Sequence, residues 1–238
     1  MRRISLIVAT WALATAVIAA ADVWETTPYT QWSDKDVQKV LTDSPWAGKA
    51  SLTHARQGAN LGSVPDWKLI VTMRSAIPIK QGLIREVIGA GGMPTAEHEA
   101  MLAAPEGLYV ISISGIPSQF TTQLGNVASA TYVKRKDKEP LTPVQATAML
   151  FDKDGNMVET PQASAQAAEI VRVQRGGGGR AGGAQDDGVT ATLLLGFPKD
   201  DAITADDKEF EVITVIGAYN VKRTFKLKDM VFNGALAM

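Results

Sequence analysis

Alternation of apolar and polar residues recurs along this chain and constrains its fold more than any other feature, because only an extended strand turns successive side chains to opposite faces. From Asp66 to Arg74, Trp67, Leu69, Val71 and Met73 alternate with Lys68, Ile70, Thr72 and Arg74. Leu108 to Ser114 is apolar and β-branched, and Val189 to Phe197 is a mainly apolar run expected at the centre of a sheet. Lys49 to Arg56, Ser129 to Arg135 and Val144 to Asp152 read as further strands, and alternation returns at Ile170 to Gln174. Phe210 to Ile216 and Val221 to Leu227 form a last hairpin joined through Gly217 to Asn220. The expected fold is α+β: a mainly antiparallel sheet, open barrel-like or sandwich, with a few short helices packed on it.

The helices lie early. Ser33 followed by Asp36 is a capping-box-like start for a helix from Asp34 to about Thr42, with Val37, Val40 and Leu41 on its apolar face. Pro78 opens a second helix running to Ile88, since the donor that proline lacks has no partner in a first turn anyway. Gly89, Gly91 and Gly92 stop it, and a third helical segment runs from near Thr95 to before Pro105. Six glycines among the eight residues Gly176 to Gly183 make Arg175 to Gly188 a flexible loop or tolerated insertion, because glycine loses the most backbone entropy on ordering.

The chain opens with Arg2 and Arg3, an apolar stretch from Ile4 to Ile18, and small residues at Ala19 and Ala21, the pattern of a secretory signal peptide. Cleavage after Ala21 makes Asp22 the mature N-terminus, and residues 22–238 are expected to form a single α+β domain, periplasmic or secreted. A retained anchor is the rival reading of this segment. No later stretch is long and apolar enough to span a bilayer. Of the 24 Lys and Arg residues, two belong to the N-terminal segment, which has no acid, so the remainder sets 22 bases against 25 acids. That balance argues against nucleic acid as a partner. The chain contains no cysteine, which excludes disulfides, thiolate catalysis and a lipidated cysteine, and leaves stability to an ordinary core.

Motifs that carry chemistry fail on context. The glycine run ends in no Gly-Lys-Ser/Thr and is followed by a strand, so it is no phosphate loop. Asp152, Asp154 and Asn156 offer oxygens at alternate positions, but Gly155 is misplaced for a calcium loop, and Asp-Gly is hairpin chemistry. Glu97, His98 and Glu99 are neighbours on one helix and do not converge, and no second histidine lies a turn away for zinc. His54 stands alone in a strand, and Ser112 and Ser114 read as small outward residues with no nucleophile elbow around them. Lys222, Lys226 and Lys228 give the last strand a basic face, read as a solvated edge. No catalytic residue, metal site or cofactor is assigned.

Two sets of residues remain as candidate binding groups. Arg74 and Arg85 flank the strand-to-helix joint at Pro78, where they bind a carboxylate or phosphate or else satisfy backbone carbonyls. Trp32 and Trp46, with Trp24 and Tyr29, bracket the first helix either as a buried aromatic anchor or as an exposed binding platform.

Three short elements, Ser44-Pro45-Trp46-Ala47, Ser75-Ala76-Ile77-Pro78-Ile79 and the ending Phe225-Lys226-Leu227-Lys228-Asp229-Met230-Val231-Phe232-Asn233-Gly234, resemble signatures of an uncharacterised family of secreted bacterial proteins. The resemblance implies export and one continuous domain, and it transfers no catalytic residue. The functional expectation is a non-enzymatic extracytoplasmic module that binds a small ligand or a protein partner, or contributes to envelope structure. The alternative is a secreted hydrolase with catalytic groups scattered along the chain.

Overall fold

The computed structural model describes residues 22–56, 62–158 and 189–238. Helix α1 (Val23–Thr26) and a single 3-10 turn precede α2 (Asp34–Thr42), β1 (Ala47–Lys49), β2 (Ser51–His54) and β3 (Ile70–Met73). Next come α3 (Ile77–Ile88), α4 (Ala96–Ala103), β4 (Leu108–Pro117), α5 (Leu124–Ala130), β5 (Tyr132–Arg135) and β6 (Gln145–Phe151). The chain ends with β7 (Thr190–Pro198), β8 (Glu209–Ile216), β9 (Tyr219–Lys226), β10 (Val231–Phe232) and β11 (Ala235–Leu236). The expected mixed, mainly antiparallel β architecture is what the chain adopts.

One sheet has the order β1-β3-β4-β7-β6 and the other β2-β9-β8-β5, with β10-β11 as a separate small hairpin. A single run of chain joins the two large sheets. The strand expected at Lys49 to Arg56 is instead two, β1 and β2 within Ala47–His54, the first pairing with β3 and the second with β9. At the switch, the Ala50 N–H still donates to the Leu69 carbonyl at 2.9 Å. Nine strands therefore follow one another from β6 round to β5, as in an opened barrel. Their inward residues, among them Ile111, Ile113, Leu193, Phe197, Phe210 and Phe225, belong to one contiguous core. Phe210 and Phe225 lie opposite each other on β8 and β9 with rings stacked 4.9 Å apart.

The first sheet is also covered outside. Helices α2 and α3 pack against each other, and α2 also packs on β1 and β3. This second layer corrects the outward reading of Ser112, which is 2 % exposed and pairs in register with buried Thr72. The Thr72 hydroxyl in turn donates to the Leu41 carbonyl of α2 at 3.5 Å. Strand β9 is likewise no edge: it lies between β2 and β8. Its basic face persists because Lys222 and Lys226 point to solvent, Lys222 pairing with Glu211 at 2.9 Å.

Other departures are local. Ser129 lies in α5, so the strand after it begins only at Tyr132. Strand β4 runs on beyond the expected Leu108 to Ser114 as far as Pro117, with a bulge between Ile113 and Ile116. Gly115 sits there at φ 79°, and a Cβ on it would come within 2.4 Å of the Lys68 carbonyl oxygen. Both facts demand glycine. At Asp152 the hairpin reading holds: its carboxylate accepts the N–H groups of Asp154 and Asn156, each at 2.9 Å, and Gly155 has φ 82°. The expected strand at Ile170–Gln174 and the glycine-rich segment at 175–188 lie outside the described residues.

Polar latches close one end of the sheets. Arg135 of β5 has a fully buried side chain, donating to the Asp201 carbonyl and the Glu139 carbonyl at 2.9 Å and to the Asp201 carboxylate at 2.5 Å. Because Asp201 follows β7, this one guanidinium ties the second sheet to the first. Beside it, Asp207 accepts the Thr204 N–H at 2.8 Å and pairs with Lys138 at 2.9 Å. The Arg135 hydrogen bond holds the Asp201 carboxyl below its ordinary range. Burial pushes the Asp207 carboxyl up, but the Thr204 and Lys138 bonds and the nearby cations outweigh it, and the net shift is downward. A carboxyl depressed in the folded state adds stability above its unfolded pKa of about 3.9, and that contribution is lost as pH falls through the folded value. Asp207→Asn should therefore lower the urea midpoint at pH 7 and lower it less at pH 3; equal losses at both pH values would refute the latch.

Candidate functional site

The N-terminal segment and the C-terminal hairpin meet across Trp46. Trp46 is completely buried, and its indole Nε1–H donates to the Ala237 carbonyl at 2.8 Å. Trp24 packs edge-on against its ring at 5.8 Å and Phe232 does so at 6.5 Å. The hairpin is turned by Asn233-Gly234, at φ 51° and 77°, between the pairs Phe232↔Ala235 and Val231↔Leu236. Two successive positive φ values in a two-residue loop match the strand twist of a tight hairpin, and Asn-Gly is the dipeptide that tolerates them.

Between these two walls opens a cleft of about 710 Å³, a size suited to a small ligand. Asp22, Trp24, Glu25 and Pro45 form one side, and the stretch from Lys228 to Gly234 forms the other. Asp22 pairs with Lys39 at 2.6 Å, and that lysine lies 5.2 Å from the centre of the Trp24 ring. The pair is exposed and adds little stability. Among the described residues, the side chains of Glu25, Lys228, Asp229 and Asn233 make no hydrogen bond or ion pair. These four groups are open to a ligand. Three carboxylates face one lysine in the lining, which contains no histidine, serine or threonine.

The four residues proposed from the sequence fall elsewhere or play other parts. Trp32 is 1 % exposed and its Nε1–H donates to the Thr27 carbonyl at 2.9 Å, while Trp46 forms the tie just described. Neither indole presents a face to solvent, so the exposed-platform reading is corrected: both are core anchors. Arg85 is buried, and its Nε–H donates to the Trp32 carbonyl at 2.9 Å, the structural role foreseen as its alternative. Burial lowers the Arg74 guanidinium pKa, an effect opposed by the nearby Glu86. The described contacts give the two arginines no partner in common, and Nη1 of Arg85 is buried without a hydrogen bond. His98 completes the capping box of α4, its Nδ1 accepting the Thr95 N–H at 3.1 Å, and His54 lies 2.9 Å from the Gly62 carbonyl, with its ring 5.2 Å from that of Tyr219.

Among the described residues, no group of three His, Asp or Glu side chains is placed to hold a metal ion, and no helix is long and apolar enough to cross a membrane. Comparison with protein-family models, curated proteins and solved structures finds no match for this chain.

Trp24, Pro45 and the stretch from Lys228 to Gly234 stand out in the sequence, each locally. Nothing local sets Glu25 opposite Lys228 and Asp229, because about two hundred residues separate the walls they occupy. Trp32→Ala should cost about 3–5 kcal/mol, the range for truncating a buried tryptophan. Chemical denaturation followed by tryptophan fluorescence checks it, and a change below about 1 kcal/mol would return Trp32 to the surface.

Proposed function

We propose that the protein is a non-enzymatic extracytoplasmic binding module, and that the cleft between the N-terminal segment and the C-terminal hairpin takes its ligand. The observation that carries this reading is the set of uncommitted polar groups, Glu25, Lys228, Asp229 and Asn233, around a cleft floored by Trp24 and Phe232. The four side chains are exposed, and with no protein partner to give up each can turn to a ligand. With the α-ammonium that cleavage before Asp22 adds, the lining carries three carboxylates and two cations, and the unpaired carboxylates Glu25 and Asp229 favour a small polar ligand bearing a positive group, with Trp24 and Phe232 available to its carbon skeleton. The absence of histidine, serine and threonine from the lining removes the usual nucleophile and base of acyl transfer.

Export is part of the same proposal. It rests on the Arg2-Arg3 start, the Ile4–Ile18 apolar run and the small residues before Asp22. Expression of the full chain in a bacterial host, followed by fractionation and N-terminal sequencing, should recover material beginning at Asp22 outside the cytoplasm. Full-length chain held in the membrane fraction would support the retained anchor instead.

Ligand screening by thermal shift tests the cleft. A cationic small molecule that binds there at a hundred times its Kd should add about 2.7 kcal/mol of apparent stability. Asp229→Asn and Glu25→Gln should each reduce that gain while leaving the unliganded melting temperature within about 1 °C, as surface substitutions do. If the variants respond like the parent, the ligand binds elsewhere. Turnover of a glycoside or ester panel that either substitution abolishes would replace the binding reading with the hydrolase.

A further inference from the structure

The processing site read from the sequence falls at the edge of the cleft. Cleavage after Ala21 leaves Asp22 first, and Asp22 is itself a lining residue of the cavity, on the same wall as Glu25 and across from Lys228 and Asp229. The opening residues of most domains stay loose unless something ties them down. Asp22 is tied through backbone and side chain alike: its carbonyl accepts the Glu25 N–H at 3.0 Å and the Thr26 hydroxyl at 3.3 Å, and its carboxylate pairs with Lys39 at 2.6 Å. Trp24, two residues on, is buried against Trp46 and anchors the same short segment to the core. Holding Asp22 in this way also holds the α-amino group that cleavage frees.

That group changes the charge inventory of the cleft. An ordinary α-amine has a pKa of about 7.7–8.0 and is mostly protonated at pH 7. With Asp22 paired to Lys39, the lining charges left without an ion pair among the described residues are Glu25 and the new α-ammonium on one wall, and Lys228 and Asp229 on the other. Each wall then offers one cation and one anion. In the uncleaved chain the same nitrogen is an uncharged peptide amide, and the N-terminal wall has only the carboxylate of Glu25 to offer. A plain amine answers the carboxylates and leaves both cations unmet, whereas a molecule with an ammonium and a carboxylate makes charge-assisted bonds to both signs.

We propose that the α-ammonium freed at Asp22 is a ligand-binding group, so that the cleft takes a small zwitterion, an amino acid or short peptide, and is complete only in the processed chain. The inference rests on the cleft and the export proposed above. The ligand's carboxylate pairs with the α-ammonium, and its ammonium reaches the carboxylate of Asp229 on the facing wall.

Exported protein, with Asp22 confirmed as its first residue, is titrated by calorimetry with lysine and, separately, with cadaverine, the same diamine without the carboxylate. Lysine should bind about tenfold or more tightly than cadaverine, as a charge-assisted bond entails. A sample acetylated at the α-amine, which reacts selectively near pH 7 because lysine side chains stay protonated, should keep its affinity for cadaverine while the advantage of lysine shrinks to about threefold or less. Its unliganded melting temperature should stay within about 1 °C of the parent's, as surface changes do. Equal affinity for the two compounds, or an advantage that survives acetylation, overturns the inference; if Asp229→Asn still weakens cadaverine binding, the cleft reading stands without it. Binding of neither compound overturns both, and recovery of uncleaved chain alone overturns the inference while cadaverine still tests the cleft.

Discussion

The hydrogen bond from the Trp46 indole to the Ala237 carbonyl is the contact on which the two ends of the described chain depend. Trp46 immediately precedes β1, and its own carbonyl accepts the Met73 N–H at 2.8 Å, so the residue is fixed to the first sheet before its side chain reaches any other element. Trp24 and Phe232 then take opposite claims on the same ring, one from the N-terminal helix and one from the last hairpin. A buried indole is suited to this because it combines a large apolar surface with one directional donor. Remove the donor and the Ala237 carbonyl loses a buried partner; remove the ring and both neighbours lose their packing surface.

A second constraint sits four residues on, at Ala50. The run from Ala47 to His54 can serve two sheets only because Ala50 breaks neither ladder: its N–H stays with Leu69 while the chain redirects to β9. Sharing one strand run brings the inner faces of the sheets over a common core and leaves β5 and β6 as the end strands among the described residues, bridged on their outer sides to Leu141 and Met157. The fully buried Arg135 then links the end of β5 to the segment after β7, which stiffens the open side without backbone pairing. A charge so deep is tolerable only because several acceptors converge on it.

The local elements were readable from neighbouring residues. Ser33 and Asp36 form a complete capping box at the start of α2, Pro78 lies in the first turn of α3, and Asp154-Gly155 turns a hairpin. Each of these depends on residues within a few positions. What sequence did not reveal depends on distant partners. Ser112 is buried beside Thr72 of β3, the strand that α2 covers, and Ala50 marks a sheet change that no alternation encodes. Arg74 and Arg85 were reasonable candidates at the joint, yet the neighbouring Lys80 holds the ion pair there, because Glu106 arrives from the far side of α4. The cleft was invisible for the same reason, although the Pro45 and Lys228–Gly234 residues that wall it had already stood out as short recognisable elements.

Those elements make a physical case for a preformed site. A ligand that must order a loop gives up affinity to conformational entropy, about 0.5–1.5 kcal/mol for each immobilised long side chain. Here both walls are already tied down: Trp24 of α1 packs on the Trp46 ring, the hairpin has its Asn233-Gly234 turn, and Trp46 joins one to the other through Phe232 and the Ala237 carbonyl. Only the tips of Glu25, Lys228, Asp229 and Asn233 remain to be ordered. Substitutions at those tips therefore act on recognition, whereas substitutions at Trp46 act on the shape of the whole cleft and on the fold together.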